Sequence, residues 1–95
     1  MKLLTVNNVI QSNASNLIAE IINDELAVMD FLQGNYILFN KIGRIIWEEI
    51  SSPIRICDLI ELLLKRFDID YETCTKETLI LLNKLNKQAI LVVIE

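Results

Sequence analysis

The chain has 95 residues, of which 53% are apolar and 23% charged, with two glycines and one proline. That composition excludes a disordered tail, a collagen-like repeat and a linker-rich multidomain protein. Thirteen acidic residues against nine basic ones leave a net charge of −4, the wrong sign for general attraction to nucleic acid or anionic lipid.

Histidine is absent, which removes the commonest general base and the commonest metal ligand. No Walker loop, GxGxxG or GxSxG motif supplies an alternative chemistry. Cys57 and Cys74 form no CxxC and read as free thiols in a reducing compartment, not as zinc ligands. No apolar run reaches the roughly 18–20 residues that span a bilayer. The start, Met1 to Val6, runs into Asn7-Asn8 without the long apolar core of a signal peptide. The expectation is a cytoplasmic, noncatalytic protein with no cofactor, no metal, no nucleic acid and no membrane partner.

Residues 1–16 form an Asn/Ser-rich N-terminal segment with a short strand near Asn8 to Gln11, and residues 17–95 form the domain. Leu17 to Ile22 reads as a strand, closed by the turn chemistry of Asn23-Asp24-Glu25. Leu26 to Leu32 is a second strand, Gln33-Gly34-Asn35 a tight turn, and Tyr36 to Phe39 a third strand. Two successive hairpins make an antiparallel meander.

Asn40 is a good N-cap for a helix whose Ile42, Ile45, Ile46 and Ile50 recur at helical spacing beside Trp47. Gly43 inside that helix costs about 1 kcal/mol relative to alanine, which is understandable if another element packs against its backbone. Ser51-Ser52-Pro53 ends the helix, and a second helix runs from about Arg55 to Phe67. After the acidic loop at Asp68 to Glu72, Thr73 or Thr75 caps a third helix reaching about Gln88, with Ile90 to Ile94 extended beyond it. The fold class expected is α+β and winged helix-turn-helix-like: a three-stranded antiparallel N-terminal sheet packed on a three-helix bundle.

Two places attract a functional reading. The third strand, Tyr36-Ile37-Leu38-Phe39, carries no charge, proline or bulge to protect it if it lies at a sheet edge. Such an edge can accept a peptide as an added strand, or pair with itself in a homodimer. On the third helix, Leu79, Leu82, Leu85, Asn86 and Ala89 read as the core stripe. Lys76, Ile80, Asn83, Lys84 and Lys87 lie on another arc, either a solvated face or the wall of a groove for something apolar and acidic.

From Leu26 to Ile50 the sequence resembles the PqqD-like family. The residues that carry the likeness are Asp30, Gly34, Tyr36, Asn40, Gly43, Ile46 and Trp47, and Gly43 with Ile46-Trp47 is the most specific part. The likeness extends over about residues 17–94. It departs at Phe39-Asn40-Lys41, where the family commonly has Leu-Asn-Pro, and at Lys87-Gln88-Ala89-Ile90, where a glycine often precedes the last strand. The resemblance implies a RiPP recognition element, a noncatalytic domain that binds the leader of a ribosomally made precursor peptide along the third strand and against the third helix. Carried onto this chain, the peptide-binding residues are Tyr36, Ile37, Leu38, Phe39, Ile80, Leu81, Asn83, Lys84 and Lys87. Asp30, Asn40, Gly43 and Trp47 take structural roles. A free-standing domain of this kind looks most like the leader-binding protein of a lasso-peptide pathway, with a leader peptidase and an ATP-dependent cyclase as partners. PqqD itself, which works with a radical-SAM enzyme, is the nearest alternative, and a winged-helix DNA-binding regulator the next.

Overall fold

The computed structural model describes residues 3–13, 17–23 and 25–94. Residues 1, 2 and 14–16 of the N-terminal segment, and Asp24 of the expected Asn23-Asp24-Glu25 turn, lie outside the described residues. In chain order the described elements are β1 (Val9–Ser12), β2 (Leu17–Ile22), β3 (Glu25–Asp30), β4 (Asn35–Phe39) and α1 (Lys41–Glu49). They continue with β5 (Ile54–Arg55), α2 (Ile56–Arg66), α3 (Tyr71–Lys87) and β6 (Leu91–Ile94). The fold is α+β.

The expected meander is present as an antiparallel sheet in the order β2-β3-β4. Its second hairpin is shaped by Asp30, whose side chain accepts hydrogen bonds from the amides of Leu32 and Gln33 at 3.0 and 3.2 Å. Gly34 takes the left-handed backbone, φ +77°, that this turn requires. Alternation then separates two faces. Leu26, Val28, Ile37 and Phe39 are buried against the helices, while Met29, Tyr36 and Leu38 remain exposed outside.

A second antiparallel sheet, β5-β1-β6, was not expected. Val9 to Ser12 pairs with Leu91 to Ile94, and Val9-Ile10 also faces Ile54-Arg55. The single N-terminal sheet of the sequence reading is therefore corrected to two three-stranded sheets among the described residues. The reason is that pairing between strands this far apart in sequence leaves no trace in local periodicity.

α1 begins as expected, with the Asn40 side chain accepting from the Gly43 amide at 2.9 Å. Gly43 has the close neighbour its cost implied: a Cβ there would sit 3.0 Å from Cδ1 and 3.2 Å from Cβ of Phe39. Phe39 in turn stacks on Trp47, ring centroids 5.7 Å apart. β4 and α1 are thus locked at their junction by one aromatic ring.

The start of α3 differs from expectation. Asp70, not Thr73 or Thr75, is its N-cap, accepting from the Thr73 amide at 3.0 Å. The Thr73 hydrogen bonds hold the Asp70 carboxyl below its ordinary value of 3.8. A carboxyl whose folded pKa is depressed stabilises the fold above its unfolded pKa, and that contribution fades as pH falls through the folded value. The acid limb of wild-type stability should therefore fall more steeply below about pH 4 than that of Asp70→Asn, whose cap does not titrate. Urea unfolding across that range reads the difference.

α3 ends in a reversal in which the Ile90 amide donates to the Leu85 carbonyl at 2.9 Å. This is the six-to-one bond of a Schellman cap. The residue that must turn left-handed is Ala89, at φ +59°, a position suited to glycine. Ala89→Gly should raise stability by about 1 kcal/mol, read as a higher denaturation midpoint with an unchanged slope.

Candidate functional site

Among the described residues β4 pairs with β3 alone, through Leu26↔Phe39 to Asp30↔Asn35. Its other side is an open edge. At the C-terminal end of β4 lies a groove of about 290 Å³, close to the lower end of the range for ligand pockets. Five elements build it. β4 supplies Leu38 and Phe39, the start of α1 supplies Asn40, Ile42, Gly43 and Ile46, and the end of α2 supplies Leu63 and is followed by Phe67 and Ile69. α3 closes it with Cys74, Glu77, Thr78 and Leu81, and Glu25 joins from the first position of β3.

The α3 contribution follows from helical geometry. Residues 74, 77, 78 and 81 are spaced i, i+3, i+4 and i+7, one continuous stripe. Cys74 and Thr78 are buried, their side chains 4.0 Å apart, and Leu82 and Leu85 carry the core contact onward. The stripe expected from sequence was turned from this one, with the exposed Ala89 and half-buried Leu79 and Asn86 in it. Cys74 and Thr78 carry a weak apolar signal, although both are small enough to be buried in a helix interface. An i, i+4 reading of Cys74, Thr78 and Leu82 would have found it.

The nine residues proposed from sequence fall in four groups. Leu38, Phe39 and Leu81 line the groove. Ile37 and Phe39 point their side chains into the core, 3% and 1% exposed, whereas Tyr36 and Leu38 are exposed on the outer face. What β4 as a whole offers is its backbone edge. Ile80, Lys84 and Lys87 are exposed and lie outside the groove lining, one step around α3 from Leu81. Asn83 is half-buried and engaged: its Oδ1 accepts from the Leu4 amide at 2.9 Å and its Nδ2 donates to the Leu79 carbonyl at 2.8 Å. It tethers the N-terminal segment to α3.

The floor is apolar and the charged lining is acidic, Glu25 and Glu77. No group of His, Cys, Asp and Glu with metal-binding geometry occurs among the described residues. None of the described helices is long and apolar enough to cross a membrane. An open strand edge beside an apolar slot can hold an extended peptide by backbone hydrogen bonds and one or more side chains.

Residues 25–91 match the family described as Coenzyme PQQ synthesis protein D (PqqD). The chain belongs to the PqqD family. The matched span holds β3, β4 and all three helices, and so every residue that lines the groove. Comparisons with curated proteins and with solved structures returned no match. PqqD family proteins bind precursor peptides and partner enzymes in the pathways of ribosomally made, post-translationally modified peptides. Membership suggests a peptide-binding chaperone or adaptor of that biosynthesis.

Proposed function

We propose that this protein is a noncatalytic cytoplasmic adaptor that binds the leader of a precursor peptide as an added strand on β4 and delivers it to modifying enzymes. The observation that carries the reading is an open β4 edge whose C-terminal end runs into an apolar groove, both inside the span that matches the family. The absence of histidine from the sequence supports a role in binding, with the chemistry left to the partners. The order of α1, α2 and α3 supports a winged-helix-like arrangement in which α3 is the groove wall.

In the first reading the pathway makes a lasso peptide, and a leader peptidase and an ATP-dependent cyclase are the recipients. The description of the matching family favours a second reading, a chaperone for a radical-SAM enzyme in coenzyme synthesis. The genes beside this one separate the two: a short precursor frame next to a peptidase and a cyclase supports the first.

Five or six added residues gain several backbone hydrogen bonds, each worth about 0.5–1.5 kcal/mol net. After ordering costs the affinity should be near micromolar or tighter, about −8 to −10 kcal/mol. A fluorescein-labelled leader of the neighbouring precursor, titrated with protein, should saturate in that range, while duplex DNA should not bind at physiological salt. No saturation by about 100 μM protein, or tight salt-sensitive binding of DNA, contradicts the proposal.

A further inference from the structure

We propose that the groove selects peptides carrying a lysine or arginine beside the large apolar side chain that fills it, and that Glu25 and Glu77 impose this choice. The inference rests on the peptide-binding reading above and adds the charge of the ligand to it. Glu25 enters the groove from the sheet side and Glu77 from α3, and they are the charged residues of its lining. Both are exposed, and neither forms a salt bridge among the described residues.

A carboxylate in the lining of an apolar slot attracts a cation brought by the ligand and repels an acidic one. The sheet side adds no cation, since residues 3–40 contain no lysine or arginine, whereas Lys41, Arg66 and Lys76 adjoin the lining residues Asn40, Phe67 and Glu77 in the chain without lining the groove themselves. The cations of α3 that drew attention in the sequence, Lys84 and Lys87, stand outside the lining. An acidic leader segment, which those lysines implied, therefore meets two glutamates in the groove itself.

Selection of a phage-displayed random dodecapeptide library on the full-length protein tests the proposal. Wild type should enrich sequences in which Lys or Arg flanks an apolar anchor, several times more often than Asp or Glu. The double variant Glu25→Lys, Glu77→Lys should invert that preference. An enriched peptide resynthesised with its flanking Lys replaced by Glu should bind wild type about tenfold more weakly at low salt. With Glu25→Gln, Glu77→Gln the ratio between the two peptides should fall towards unity. Peptides enriched without charge preference, or a preference that survives both double variants, overturn the inference and leave the peptide-binding reading standing. Failure to enrich any peptide on the folded protein removes the reading and the inference together.

Discussion

Of the two variants Ile37→Pro and Leu38→Pro, the one whose amide faces the open edge is expected to fold and to bind leader at least about tenfold more weakly. Successive amides of a strand point to opposite sides, so one of these two positions donates to β3 and the other to whatever joins the edge. Proline on the β3 side deletes a ladder bond in a sheet whose inner face is core, and should cost the fold itself. Proline on the open side leaves the ladder whole and removes a donor for the ligand. Leu38 is the gentler site, because its side chain is exposed whereas Ile37 is 3% exposed. Circular dichroism and thermal unfolding separate loss of fold from loss of binding. A folded proline variant at each position, both binding like wild type, would mean that the peptide does not pair with β4.

The second large effect belongs to the Phe39 junction. Phe39→Ala should cost about 3–5 kcal/mol, as truncation of a fully buried aromatic does. For a domain of this size that is a large part of its total stability, with a melting temperature lower by about 15 °C or more. Phe39 joins β4 to α1 through Trp47, presses on Gly43 and lines the groove, so the lesion also removes a wall of the site. Gly43→Ala probes the same contact from the other side. On an open helix face alanine would add about 1 kcal/mol of stability. Here its Cβ meets ring and Cβ atoms of a residue that is 1% exposed and cannot step aside, and overpacking of this kind costs about 1–3 kcal/mol. Denaturant unfolding should therefore show Gly43→Ala destabilised; a stabilised variant would mean that the close packing is not what holds the glycine there.

The parts of the fold that the sequence announces are those built from local signals. β2, β3 and β4 follow from branched and aromatic runs between Asn23, Asp30 and Gly34. α1 follows from Asn40 and the isoleucine spacing behind it. β1 and β6 are legible as the short extended runs near Asn8 to Gln11 and Ile90 to Ile94, but β5 and the pairing of all three are not, because each is stabilised by a partner remote in the chain, as Ser12 with Leu91 shows.

The site is legible in part for the same reason. The bare edge of β4 needs only a strand and its lack of protecting charge. The groove needs the phase of α3, and that was obscured because Cys74 and Thr78 are buried without being obvious apolar residues. Its acidic pair, Glu25 and Glu77, comes from opposite ends of the domain and appears only when the chain is folded. Asp70 was available as a cap in the sequence, three residues ahead of the Thr73 amide it accepts from, but stood in a run that read as loop.

Residue-resolved amide hydrogen exchange in β4, with and without saturating leader peptide, tests peptide addition to this edge most directly. The account predicts new protection at alternate amides between Tyr36 and Phe39, with the open side of β2 unchanged. Bound peptide with every β4 amide exchanging as before, or protection confined to β2, would contradict it.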